Sequence, residues 1–142
     1  IAGVIMLVVF LAVPALQRSS RNTQRTNDAS LISAAVTECL TNNNGQKDKC
    51  NDITIDDGAT ATGSSKLKDY VDPSKLRQLT SVKVDSGTSF PADGNSAYIV
   101  YGHKCDTSGA AVDTGTTASS KQFVLLFKVE TTSTLADRCL DS

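Results

Sequence analysis

IAGVIMLVVFLAVPALQRSSRNTQRTNDASLISAAVTECLTNN, residues 1–43, decides how the rest of the chain is read. Residues 1–16 contain no charged side chain and no Asn, Gln, Ser or Thr, and only Gly3 and Pro14 interrupt the apolar run. Further on, Leu31, Ile32, Ala35, Val36, Cys39 and Leu40 recur at i, i+1, i+4, i+5, i+8 and i+9, the spacing of one helix face that needs a cover. Thr41-Asn42-Asn43-Asn44-Gly45 closes the stripe, because Asn and Gly tolerate the left-handed conformation that ends helices. A continuous helix over this stretch is a rod of roughly 63 Å. Pro14 removes one helical donor and crowds the preceding turn at ~3 kcal/mol, so a kink or a locally melted segment is expected over residues 9–14, with Gly3 a second weak point. The alternative is that Pro14 opens a new helix at its first turn.

The chain as a whole is one domain's worth of sequence. Its 142 residues hold 14 Lys and Arg against 15 Asp and Glu, four Cys, one His and no Trp. With 39% hydrophobic and 20% charged residues it is too apolar for a disordered tail, and its near-zero balance argues against duplex nucleic acid as a whole-molecule partner. The charge is unevenly placed. Arg18, Arg21 and Arg25 precede every acidic residue, while the chain from Asp28 onward carries 11 basic against 15 acidic residues.

Three readings of the apolar run compete. A secretory signal peptide needs preceding basic residues and a small-residue cleavage site, whereas nothing basic precedes Ile1 and Val13-Pro14-Ala15 has a proline in its centre. As a membrane anchor, 16 residues reach only about 24 Å of a ~30 Å hydrocarbon core, so a full span requires apolar residues before Ile1. The three arginines would then place the C-terminal side in the cytoplasm, yet four Cys in a small head, with no C-x-x-C pair, fit disulfides outside the reducing cytosol. A helix that waits in the membrane and then leaves it to pack against copies of itself removes the conflict.

The proline-containing apolar segment, the polar residues 17–28 and the second apolar stripe together resemble the N-terminal helix of a type IV pilin. Pro14-Ala15-Leu16-Gln17-Arg18-Ser19 and Asn22-Thr23-Gln24-Arg25 resemble pilins of Saccharibacteria, small episymbiotic bacteria. The resemblance covers the first third of the chain; beyond it only layout and cysteine placement agree. Family members begin on a processed, usually N-methylated aromatic residue and carry a glutamate a few positions later that orders assembly. Neither is present here, and Ile1 matches a position about three turns into the family's helix. The resemblance implies an α+β pilin fold: a long N-terminal helix packed against a C-terminal antiparallel sheet, with residues 1–26 protruding and residues 27–142 forming the head.

The head itself reads as loops with short elements. Asp72-Pro73-Ser74 is an N-cap and N1 pair for a helical turn through Leu79. Residues 82–84, 97–101 and 122–130 are the strand candidates, the last two separated by a Gly/Ser/Thr/Asp-rich loop over 106–120. An antiparallel sheet laid over Leu31, Ile32, Ala35, Val36 and Leu40 would bury both faces at once. Four cysteines allow three pairings, of which Cys39 with Cys50 and Cys105 with Cys139 are favoured: the first closes a short loop at the helix end, the second ties a strand end to the C-terminal tail. Each would contribute ~3 to 4 kcal/mol by restricting the unfolded chain.

Motifs that carry chemistry are sparse. Asp113-Thr114-Gly115-Thr116 copies the signature around an aspartic protease carboxylate and Asp106-Thr107-Ser108-Gly109 nearly repeats it, but both sit in one loop where Asp and Gly are ordinary turn residues. Asp52, Asp56, Asp57 and Gly58 offer oxygen ligands at a spacing unlike the EF-hand loop, and His103 has no second histidine for a metal or triad. No phosphate-cradling glycine motif is present, and no cofactor is expected. Aromatic residues are too few and scattered to stack single-stranded nucleic acid, and Arg18, Arg21 and Arg25 read as a solvated or inter-subunit salt-bridging face before a DNA contact.

The expectation is therefore a non-enzymatic subunit of a type IV pilus: anchored first in the inner membrane, taken up by the pilus assembly machinery, then polymerised into an extracellular cell-surface filament. Val4, Leu7, Val8, Leu11 and Val13 would carry the homopolymer contacts. By resemblance, such a fimbrium would serve cell adhesion, twitching motility or DNA uptake, with the 106–120 loop facing a host cell surface. The rivals are a minor pilin or type II secretion pseudopilin, and a secreted disulfide-stabilised binding domain behind a signal peptide.

Overall fold

A single helix, α1 (Ala2–Asn42), runs through the first third of the chain without a break. The computed structural model describes residues 2–115, 118, 119 and 121–142, with the side chains at positions 2, 5, 7, 8, 11 and 12 outside that description. At 41 residues α1 is about 61 Å long. No residue over 9–14 leaves the helix, so the melted segment expected there is absent and Pro14 does not open a second helix. Pro14 removes only one donor, and Leu, Ala and Gln on its two sides favour the helix enough to carry it through. The far end closes as the Asn/Gly run requires. Asn44 (φ 56°) and Gly45 (φ 71°) are left-handed. The Gly45 N–H returns to the Leu40 carbonyl at 2.7 Å, while the Asn44 N–H reaches the Thr41 carbonyl at 3.4 Å. This double closure satisfies the last carbonyls of the helix.

The strands are β1 (Thr54–Ile55), β2 (Ser81–Val84), β3 (Ser96–Tyr101), β4 (Lys104–Cys105), β5 (Val112–Asp113), β6 (Phe123–Glu130) and β7 (Leu135–Asp141). Five of them form one sheet in the order β1-β2-β3-β6-β7, and β4 pairs with β5 as a separate hairpin. The class is α+β, but the sheet is mixed where an antiparallel one was expected: β2 and β3 run parallel, with Val82 opposite Ala97 and Val84 opposite Ile99. Parallel neighbours need a long return connection, and residues 85–95 supply it. That segment earns its burial on the outer face of the sheet, where Phe90 packs with Val100, Val124 and Leu126.

The helix covers the other face. Ile32, Ala35, Val36, Cys39 and Leu40 are buried in one core with Phe123, Leu125, Phe127 and Val129 of β6 and with Val82, Ala97 and Ile99 of the neighbouring strands. Leu31, expected under the sheet, is instead 46% exposed. The buried line runs Arg25, Asp28, Ala29, Ile32, Ala35, Val36, Cys39, Leu40, Asn43, and Leu31 sits one position off it, about 100° around the axis. β6 is buried on both faces from Phe123 to Phe127, and its unalternating apolar run reflects that double cover.

Both expected disulfides are formed, Cys39–Cys50 with Cα atoms 6.1 Å apart and Cys105–Cys139 with Cα atoms 5.6 Å apart. The loop expected over 106–120 contains β5 and a turn in which the Asp106 carboxylate accepts from the Ser108 and Gly109 N–H groups; Thr116, Thr117 and Ser120 of that stretch lie outside the described residues. At Asp72 the expected cap is present, its carboxylate accepting from the Ser74 N–H at 3.0 Å, but the turn ends at Lys75 rather than Leu79. Residues 77–79 do not continue the turn; their N–H groups bond to Asp28 of the helix instead.

Candidate assembly surface and the clamp beneath it

The apolar end of α1 has nothing packed on its described side chains. Val4, Met6, Val9, Phe10, Val13 and Leu16 are all exposed, Phe10 by 72% and Leu16 by 67%. Of the five residues expected to carry assembly, Val4 (66%) and Val13 (41%) are on this bare surface, whereas the side chains of Leu7, Val8 and Leu11 lie outside the described residues. Burying six such side chains would be worth on the order of 10 kcal/mol, which is a large quantity to leave in water. Among the described residues no helix is long and apolar enough to cross a membrane.

The polar stretch that follows is a clamp rather than a spacer. Glu130, at the end of β6, accepts from Arg21 Nε at 2.6 Å, from Arg21 Nη2 at 3.2 Å and from Arg25 Nη1 at 2.9 Å. Asn22 completes the joint: its Nδ2 donates to the Glu130 carbonyl at 2.8 Å and its Oδ1 accepts from the Glu130 N–H at 2.7 Å, so an amide side chain continues the strand's pairing. Arg25 is buried, and its Nε donates to the Gly94 carbonyl at 2.8 Å. A Cβ at Gly94 would stand 2.9 Å from the Arg25 guanidinium, so the absence of a side chain there admits the contact. These two guanidinium groups hold the Glu130 carboxyl down to about 2. Contacts to the head thus reach back to Arg21, inside the segment 1–26 read from sequence as protruding.

One turn further along, Asp28 is 1% exposed and its Oδ2 accepts three backbone N–H groups, from Arg77 (3.0 Å), Gln78 (2.6 Å) and Leu79 (2.9 Å). Gln24 Oε1 adds a bond from Gln78 Nε2 at 3.0 Å. A carboxylate gathering three amides ties the 77–79 loop to the helix while leaving no donor unsatisfied. Sequence reading assigned Arg21 and Arg25 to a solvated or inter-subunit face and gave Asp28, Asn22 and Glu130 no role. A signal was present: Arg25 and Asp28 precede Ile32 by seven and four residues, on the face that the apolar stripe defines.

The remaining chemical candidates do not converge. Asp106 and Asp113 lie on the small hairpin, each turning its carboxylate to nearby backbone N–H groups, of Ser108 and Gly109 and of Gly115. Asp52 accepts from the N–H and hydroxyl of Ser64, and Asp57 adopts a left-handed turn. Among the described residues no group of three or more His, Cys, Asp or Glu side chains is arranged to hold a metal.

No family model, curated protein or solved structure matches this chain.

Proposed function

We propose that the chain is the structural subunit of an extracellular type IV pilus, a pilin fold whose apolar helix is first held in the inner membrane and then buried among the helices of neighbouring copies. The observation that carries the reading is the bare apolar end of α1: six exposed large hydrophobic side chains on one helix, rigidly clamped to a disulfide-bonded head. A soluble monomer has no use for such a surface. Copies related head to tail would bury it without closing into a ring, which makes an open filament. Once surrounded by other helices, residues leaving lipid gain little hydrophobic energy, so shape and packing set the geometry.

The membrane stage requires apolar residues ahead of Ile1, since residues 2–16 alone fall short of the bilayer's hydrocarbon thickness. Structure at the clamp supports an outward-facing head. Two of the three arginines that would mark a cytoplasmic flank, Arg21 and Arg25, are engaged by Glu130, and both disulfides belong to an oxidising compartment.

The test is electron microscopy and mass spectrometry of material sheared from the cell surface, for wild type and for Val13→Asp. Filaments containing the chain with its apolar helix are expected from wild type and none from the variant, with the variant's head still folded and both disulfides formed. Normal filaments from Val13→Asp, or a mature chain that begins near Leu16, would overturn the reading.

A further inference from the structure

Where α1 leaves the head, an open groove of about 560 Å³ lies between the helix and the edge of the sheet. Arg18 lines it from the helix and Arg138 lines it from β7. Neither guanidinium has an acidic partner among the described residues: Arg18 makes no hydrogen bond or ion pair, and Arg138 donates only to the Asp137 carbonyl at 3.2 Å. The Ser19 hydroxyl and Asn27 side-chain amide line the same groove and are also without partners there. Glu130 is the one carboxylate in the lining, and both its oxygens are already occupied by Arg21 and Arg25. The groove therefore presents two guanidinium groups, Arg18 and Arg138, against one carboxylate that Arg21 and Arg25 already neutralise, with hydroxyl and amide groups in the same lining.

Its position names the occupant. Arg18 follows Leu16 by two residues, about 3 Å along the axis, so when the apolar segment is in hydrocarbon the groove opens at headgroup depth. We infer that this groove binds the phosphate of an anionic phospholipid headgroup, seating the head on the bilayer before the subunit is drawn into a filament. The inference rests on the membrane-held stage of the reading above. Convergence of a helix cation and a sheet cation distinguishes it from general attraction: Arg138 is on the head, and contributes only if the head docks with this side toward the membrane.

The experiment is flotation of the full chain with pure phosphatidylcholine vesicles and with mixed phosphatidylcholine and phosphatidylglycerol vesicles at low salt. Each guanidinium near an anionic surface is worth about fivefold in partitioning, so the wild type should favour the mixed vesicles by about thirtyfold. Arg18→Gln and Arg138→Gln should each lose about fivefold of that preference. Lys47→Gln, an exposed charge beyond the opposite end of α1, should lose none. Equal entry into both vesicle types, or an Arg138→Gln loss no larger than that of Lys47→Gln, overturns the headgroup site and leaves the pilin reading standing. Failure to enter either vesicle overturns the membrane-held stage itself. Should Arg138→Gln abolish filaments while the vesicle preference persists, the groove takes an acidic group of a second copy and the lipid assignment is overturned.

Discussion

Asp28 and Glu130 show how single carboxylates hold a helix to a head. With one Asp28 oxygen accepting three N–H groups, Asp28→Ala leaves three donors at a buried site and should cost about 3 kcal/mol or more. Asp28→Asn, which keeps an acceptor but loses the charge, should fall between; urea denaturation midpoints read both. At Glu130 the prediction concerns pH. Its carboxyl is held at about 2 against an ordinary value of 4.5, so its contribution is complete above 4.5 and is lost as pH falls toward 2. Glu130→Gln should therefore be less stable than wild type by about 2 kcal/mol at neutral pH, Arg25 being left buried without its carboxylate. The gap should narrow at pH 2, and parallel denaturation series at the two pH values measure it. Neither role could be read from residue type, since an acid in the polar stretch of a helix or at the end of a strand is most often solvated; partners 49 and more residues away decide otherwise.

At the scale of elements, the buried line of α1 separates adjacent residues of nearly identical chemistry. Ile32→Ala should cost 2–4 kcal/mol, about the range for emptying a core position, while Leu31→Ala should cost under ~1 kcal/mol. Comparing the two denaturation midpoints checks the register of the helix on the sheet. The strands most legible in the sequence were β2, β3 and β6, because apolar and β-branched residues cluster there. β7 was not legible. LADRCLD carries Asp137, Arg138 and Asp141 and reads as polar tail, yet it pairs along the whole of β6 from Val124 opposite Asp141 to Glu130 opposite Leu135. As an edge strand it needs only partial burial, and its outer rim is protected by its charges and by the bond from the Cys139 N–H to the Gly109 carbonyl. Lys128 and Asp137 pair across the two strands, an interaction with no signature in either segment alone.

For the whole molecule, the boundary between projecting rod and docked helix falls near Arg21. A chain starting at Gln17 should keep its unfolding free energy to within about 0.5 kcal/mol and become monomeric by light scattering, because none of the removed side chains that are described is packed on the head. A chain starting at Asn27 loses Arg21, Asn22 and Arg25 and should be less stable by about 3 kcal/mol or more. The sequence by itself determined the helical stripe of α1 and its Asn/Gly end, the apolar run at its start and a strand at β6, and it favoured the two disulfide pairings among three; the unbroken passage through Pro14 and the cover on both faces of β6 came from the structure. The former features follow from local propensity, from periodicity and from loop length, all of which are properties of neighbouring residues. Only the tertiary structure decided that β2 and β3 run parallel, that Leu31 is off the core line, and that Arg21, Arg25 and Asp28 are structural anchors. A charged side chain becomes an anchor or a solvated group according to what lies opposite it, and here the opposite groups, Glu130, Gly94 and residues 77–79, come from distant parts of the chain.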